Sequence, residues 1–263
     1  MRVIIKPDKQ SVAEWAALYV AFRINKFKPT AKKNFVLGLP TGSTPLGMYQ
    51  ELISLYQQGL LSFEFVTTFN MDEYIGLDAT HPQSYHYFMQ ENFFKHINIQ
   101  QQNIHILDGM TPDFAKECAN YEKMISDIGG VNLFIGGIGE DGHIAFNEPF
   151  SSLQSRTRVK TLTQSTIKAN ARFFDHDMEK VPTSALTVGI QTILDAQEVL
   201  ILATGKNKAQ AIKQGIEGSI SHVWPISALQ QHPHSIILCD REAAKELSDD
   251  TLNYFLDIEK NNF

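Results

Sequence analysis

The chain has 263 residues, 43% of them apolar and 20% charged, with a formal charge of −6 from 23 basic and 29 acidic side chains. This composition suits a globular chain with a substantial core, leaves no segment polar enough to read as disordered, and lacks the basic footprint of a nucleic-acid binder. The two cysteines, Cys118 and Cys239, lie outside any CxxC or Cys/His metal spacing and fit a reducing compartment.

The opening MRVIIKPDK has no signal-peptide core. No run approaches the roughly 20 apolar residues of a membrane helix, so a soluble, cytoplasmic protein is expected. Phe35-Val36-Leu37-Gly38-Leu39 reads as a buried strand. Residues 45–56 then read as a helix, with Leu46, Tyr49, Leu52, Ile53 and Tyr56 on one face. Further strands are predicted at 66–69, 104–107, 131–135, 186–190, 199–203 and 236–239, and helices at 112–128, 207–216 and 242–258. Doubly buried strands joined by helices imply an α/β fold: a mostly parallel sheet with helices on both faces. No repeat, low-complexity tract or linker divides the chain, so one domain over 1–263 is expected. Ligands of such folds sit beyond the carboxyl ends of the strands, which directs attention to the residues after each strand.

The loop Gly38-Leu39-Pro40-Thr41-Gly42-Ser43-Thr44-Pro45 runs from a strand into a helix. Thr44 is expected as the N-cap and Pro45 as the first helical residue. Hydroxyls at Thr41, Ser43 and Thr44, with a glycine between them, make a phosphate pocket at a helix start. An ordinary capped turn explains the same residues, and the missing Walker lysine excludes a nucleotide P-loop. After the next strand, Phe69-Asn70-Met71-Asp72-Glu73-Tyr74 carries two adjacent carboxylates. Either could abstract a proton from a sugar carbon, but the segment alone favours Asp72 as a cap and Glu73 as solvated.

The stretch from Gly136 to Pro149, GGIGEDGHIAFNEP, is the most informative. Gly137, Gly139 and Gly142 match GxGxxG, yet Pro149 disfavours a long following helix and the ribose-binding acid is absent from Arg156-Thr157-Arg158-Val159-Lys160. Asp141, His143 and Glu148 instead place a histidine among carboxylates, an arrangement suited to moving protons between sugar oxygens. Their spacing matches no zinc or calcium pattern. Ser151 and Ser152, then Arg156, Arg158 and Lys160, form a strip that is either solvated surface or a second anion site. Arg172 lies further along, and Lys208 follows a strand at a helix start, where it adds positive charge for an anion.

With these stretches, together with HPQSY from His81, SRTRVKTLT from Ser155, ALTVGI from Ala185 and ATGKNKA from Ala203, essentially the whole sequence resembles the glucosamine-6-phosphate deaminases. The resemblance implies the Rossmann-like phosphosugar isomerase/deaminase fold and conversion of glucosamine 6-phosphate and water to fructose 6-phosphate and ammonia. It implies that His143, oriented by Asp141 and Glu148, assists ring opening, and that Asp72 carries a proton between C2 and C1 through an enolamine. Thr41, Gly42, Ser43, Thr44, Arg172 and Lys208 would bind substrate, and neither metal nor organic cofactor is implied. It further implies a homohexamer activated by N-acetylglucosamine 6-phosphate at Ser151, Ser152, Arg158, Lys160, Thr161 and Tyr254, and a mobile lid over 158–187. A 6-phosphogluconolactonase and a non-catalytic sugar-phosphate sensor are the rival readings.

Overall fold

The computed structural model describes residues 1–260; the last three residues of the 1–263 domain reading lie outside the described residues. The chain opens with β1 (Arg2–Lys6), α1 (Lys9–Phe27), β2 (Phe35–Leu39), α2 (Leu46–Gln57) and β3 (Val66–Asn70). It continues through β4 (Asp72–Tyr74), α3 (Tyr85–Asn92), β5 (Ile104–His105), α4 (Phe114–Asp127) and β6 (Leu133–Gly137). Then follow β7 (Arg158–Thr161), α5 (Gln164–Asn170), β8 (Ser184–Thr187), α6 (Ile190–Leu194) and β9 (Val199–Ala203). The last elements are α7 (Ala209–Ile216), β10 (Ser235–Asp240), α8 (Arg241–Ala244) and α9 (Asp249–Ile258).

Seven strands form a parallel sheet in the order β1-β10-β9-β6-β2-β3-β5. Its strands are apolar on both faces because alternate side chains enter different cores. Leu37, Leu133, Leu200 and Leu238 pack with α1 and α2 through Val20, Ile24, Met48 and Leu52. Val36, Phe134, Ile201 and Ile237 point the other way, onto Tyr121 and Ile125 of α4, Ile193 of α6 and Ile212 of α7. Helices thus cover both faces, as the pattern of apolar runs requires. Cys118 and Cys239 are buried free thiols in this second core.

Three expectations are corrected. The segment 186–190 does not join the parallel sheet: β8 pairs antiparallel with β4 and β7 in a separate three-stranded sheet. This small sheet has its own core of Tyr74, Phe146, Leu162, Ile167 and Phe174. The predicted closing helix 242–258 is two helices, because Ser248 starts a new one by accepting a hydrogen bond from Thr251 N. Finally, Thr44 does not cap α2, which begins at Leu46 after Pro45 with no side-chain cap hydrogen bond. Its first N–H groups are therefore left without a side-chain acceptor.

Among the described residues, no helix is long and apolar enough to cross a membrane, and no group of three or more His, Cys, Asp or Glu side chains could hold a metal ion.

Candidate active site

Strands β9, β6, β2 and β3 are consecutive neighbours at the centre of the sheet. Between β2 and β6 the chain's progress across the sheet reverses. From β2 it advances to β3 and β5, and from β6 in the opposite direction to β9 and β10. Adjacent loops at such a switch point leave the sheet in opposite directions and open a crevice at the strands' carboxyl ends. The loops after these four strands carry Thr41 to Thr44, Asp72, Asp141 with His143, and Lys208. Positions spread over more than half the sequence converge for this topological reason.

On the β2 side, Tyr49 donates from its hydroxyl to Pro40 O, and Met71 N donates to Leu39 O at 3.1 Å. These bonds fix the start of the phosphate-type loop. Gly42 within it has φ +101°, a left-handed conformation that a side chain would strain. Ser43 is exposed, while Thr41 and Thr44 are partly buried.

Asp72 and Glu73 are both buried, at 7% and 0% exposure, which corrects the reading of Glu73 as solvated. Asp72 stands at the start of β4, paired with Thr187 of β8. Burial, reinforced by the negative charge of Glu73, pushes its carboxyl up to about 8. A carboxyl in that range takes up and releases a proton near neutral pH, as carbon-acid chemistry requires. Glu73 accepts from Tyr74 N at 2.7 Å, Tyr85 N at 3.0 Å and His86 N at 3.0 Å, and its Oε2 lies 2.9 Å from His86 Nδ1.

On the β6 side, His143 Nδ1 lies 2.6 Å from Asp141 Oδ1. The same oxygen accepts from His143 N at 3.3 Å. Burial raises the Asp141 carboxyl, but the hydrogen bonds and charge of His143 outweigh it and hold Asp141 below the usual range. Gly139 makes room for this pair: a Cβ there would fall 2.2 Å from the imidazole and 2.6 Å from Asp141 Oδ1.

Glu148 points elsewhere. Its Oε1 accepts from Thr163 N at 3.1 Å, Thr163 Oγ1 at 2.9 Å and Thr166 Oγ1. Among the described residues no hydrogen bond or ion pair joins Glu148 to His143; the carboxylate within ion-pair distance of the ring is Asp141. Glu148 fastens the site loop to the first turn of α5, where Thr163 is the N-cap. Asn147 secures the same loop from the other side, donating to Val188 O at 2.8 Å and accepting from Arg158 Nη1 at 2.8 Å.

After β9, Gly205 N donates to both carboxylate oxygens of Asp240 at 3.0 Å. Asn207 Nδ2 donates to Glu140 Oε1 at 2.7 Å. These bonds set Lys208 beside the Asp141 loop. Burial holds the Lys208 ammonium below its ordinary range; Glu140 and Asp141 favour its charge, and Arg172 opposes it. Arg172 reaches this region from the turn Ala171–Phe173, its guanidinium 4.7 Å from the Phe173 ring centre. Two neighbouring cations of this kind suit a dianion such as a phosphate.

Among the described residues, no hydrogen bond or ion pair joins the residues expected to hold an effector to one another. Ser151 is buried and its Oγ has no hydrogen-bond partner, Ser152 is exposed, and Arg158, Lys160 and Thr161 lie on β7. Tyr254 is 60% exposed on α9, with its ring against Phe255, and among the described residues no hydrogen bond or ring contact links it to the others.

Residues 7–238 match the model of the family described as glucosamine-6-phosphate isomerases/6-phosphogluconolactonase. The chain belongs to this family. It is 62% identical over 262 residues to a glucosamine-6-phosphate deaminase of Treponema denticola, covering 100% of this chain and 97% of that one. A solved structure of a monomeric glucosamine-6-phosphate deaminase superposes with a TM-score of 0.89 at 42% identity, covering 93% of this chain and 99% of that chain. A 6-phosphogluconolactonase from Trypanosoma cruzi superposes with a TM-score of 0.75 at 19% identity, covering 94% and 97%, a likeness of fold alone.

Within the family's fold, sequence reading missed Thr163 and Thr166 as the partners of Glu148, Glu140 as the anchor of Asn207, and the clamp on Glu73. A threonine three residues before another, ahead of a short helix, was the only available signal for the first. Nothing in sequence spacing marks the other two, because Asn207 comes from beyond a distant strand and the clamp on Glu73 forms only where α3 begins at Tyr85.

Proposed function

We propose that the chain is a glucosamine-6-phosphate deaminase, converting glucosamine 6-phosphate and water to fructose 6-phosphate and ammonia. One observation carries the reading: Asp72, a buried carboxyl pushed up to about 8, stands at a strand end beside the loops bearing the Asp141–His143 pair and Lys208. A lactone hydrolysis has no need of a carbon base held in that range.

In this reading the substrate phosphate lies against Thr41, Gly42, Ser43 and Thr44, with Arg172 and Lys208 supplying charge. His143, its Nδ1 directed at Asp141, uses its other nitrogen to move the ring-oxygen proton during opening. Asp72 removes the C2 proton and delivers it to C1 through the enolamine. The resulting ketimine at C2 adds water and expels ammonia. Every step is proton transfer or hydrolysis, and positioning contributes much of the rate. Glu148 bears on catalysis through α5, holding the segment 158–187 as a lid over the site.

The reading extends to one domain over 1–263 in the cytoplasm, where the free thiols Cys118 and Cys239 stay reduced. It also extends to a homohexamer activated by N-acetylglucosamine 6-phosphate at Ser151, Ser152, Arg158, Lys160, Thr161 and Tyr254. The buried, unpartnered Ser151 hydroxyl supports a ligand there, and the separation of Tyr254 suits a site completed by a second subunit. The relative at 42% identity is a monomer, so assembly needs its own test.

The experiment is a dual-product assay with and without N-acetylglucosamine 6-phosphate, alongside sedimentation. Equal release of fructose 6-phosphate and ammonia is expected, with a leftward shift of the substrate curve on adding effector. Hydrolysis of 6-phosphogluconolactone without deamination would replace the reading with the lactonase. A stable monomer indifferent to the effector would remove only the allosteric part.

A further inference from the structure

Strand β4 is three residues long and sends Asp72 and Tyr74 to one face, with Glu73 on the other. Tyr74 is buried, and both its hydroxyl and its ring engage the chain around Arg172. The hydroxyl accepts from Asn170 Nδ2 at 2.8 Å, and the ring meets Phe174 edge-on with centroids 5.8 Å apart. Asn170 is the last residue of α5, and Phe174 directly follows the turn Ala171–Phe173. The two contacts therefore bracket Arg172, one two residues before it and one two residues after. Within this stretch Ala171 and Phe174 are buried, while Arg172 and Phe173 are exposed. Phe174 N and His176 N both donate to Ala171 O at 2.8 Å, which closes the turn. Tyr74 is itself held by the rings of Tyr85 from α3 and Phe146 from the Gly136–Pro149 loop, at centroid distances of 5.0 and 5.6 Å. Phe146 N donates to Thr187 Oγ1 at 3.1 Å, and Thr187 is the strand partner of Asp72. A ring packed among three others, with its hydroxyl bonded, is a fixed post.

We propose that Tyr74 is a positioning residue for Arg172: through Asn170 and Phe174 it fixes the turn that presents this guanidinium to the phosphate group of the substrate. Arg172 touches the phosphate, and Tyr74 acts only through it. The short stretch from Asn170 to Phe174 is tied to Tyr74 at both ends, so its exposed middle has little freedom to swing away. Because Tyr74 and Asp72 share one face of one short strand, the phosphate grip is tied to the same piece of backbone as the proton carrier. The proposal rests on the deaminase reading for the identity of the substrate, though the binding of a phosphate tests it without turnover.

Two variants test this. Tyr74→Phe keeps the ring and removes the hydroxyl. Asn170→Ala removes the other partner from a partly buried helix end and leaves the Tyr74–Tyr85 contact in place, which keeps the test decisive if the first variant does not fold. Each is made alone and in an Arg172→Ala background. Binding of inorganic phosphate is measured by isothermal titration calorimetry, and KM and kcat for glucosamine 6-phosphate are measured in parallel. Each variant should weaken phosphate binding and raise KM about fivefold, the scale of one lost hydrogen bond, with a smaller effect on kcat. In the Arg172→Ala background, itself weaker by about tenfold or more, neither substitution should weaken phosphate binding further. Equal weakening with and without Arg172 overturns the proposal, because Tyr74 would then act on the site at large. Folded variants that bind phosphate as wild type does overturn it too, as does a wild-type protein that binds no phosphate. A wild-type protein that shows the predicted dependence of phosphate binding but releases no ammonia leaves the anchor standing and overturns the deaminase reading. Ammonia release by wild type, with phosphate affinity and KM unchanged in both variants, overturns the anchor alone.

Discussion

His143 and Asp141 are two residues apart, yet they meet side chain to side chain, 2.6 Å from Nδ1 to Oδ1, folded back over a glycine with no room for a Cβ. The carboxylate faces the ring at Nδ1 within ion-pair distance, without the angle of a hydrogen bond. Asp141→Asn should lower kcat about a hundredfold or more while leaving KM within a few-fold. Steady-state kinetics checks this, and a kcat within twofold of wild type would show that another group orients the ring.

Asp72 links activity to stability with opposite signs. Its folded value is raised from 3.8 to about 8. A carboxyl raised in this way contributes stability fully below its unfolded value, and that contribution is lost as pH rises through the folded value. Asp72→Asn never ionises, so its melting temperature should exceed that of wild type by a margin that widens from pH 5 to pH 8. The same variant should lose turnover by about a thousandfold or more. Equal melting curves at pH 8 would mean that Asp72 is already ionised at little cost.

The charge of Arg172 disfavours that of Lys208. A bound dianion would reverse that penalty. Lys208→Ala should therefore raise KM for glucosamine 6-phosphate about tenfold or more, with a smaller effect on kcat. Inorganic phosphate should inhibit wild type competitively and the variant much less. An unchanged inhibition constant would place the phosphate elsewhere.

Glu148, buried at 2% exposure, depends on hydroxyls from the start of α5. Thr166→Val keeps the shape and removes one donor to a buried carboxylate. Urea denaturation should show a loss of about 1–3 kcal/mol, and the segment 158–187 should become more open to limited proteolysis. A variant as stable and as resistant as wild type would show that the Thr163 bonds suffice.

Glu217 gives a pH test far from the site. Burial pushes its carboxyl up, but the bonds from Ser248 N–H, Thr251, Ser248 and Lys213 together outweigh it and bring it from 4.5 to about 2. Stability from a depressed carboxyl is present above the unfolded value and is lost as pH falls toward the folded one. Glu217→Gln should therefore melt below wild type at pH 7, and the gap should narrow below about pH 4.5. A constant gap across that window would point to lost packing instead.

Local chemistry made much of this protein legible in one dimension. The runs at Phe35–Leu39 and Val199–Ala203 are strands with the bounds their apolar composition predicts, because a strand covered on both faces needs no alternation. The glycine-rich loop, the Asp141–His143 pair and the cations at 172 and 208 were readable because their residue types are chemically restricted. The opening strand and α1 went unpredicted, although Val12, Trp15, Ala16, Tyr19 and Val20 repeat at helical spacing. Tertiary structure alone decided the rest. The sheet order brings four distant loops to one crevice. The pairing of β4 with β8 takes residues 184–187 out of the main sheet and buries Asp72. The start of α3 converts Glu73 from an apparent surface acid into a clamped charge. Burial and long-range pairing set proton affinities, and neither is a property of sequence spacing.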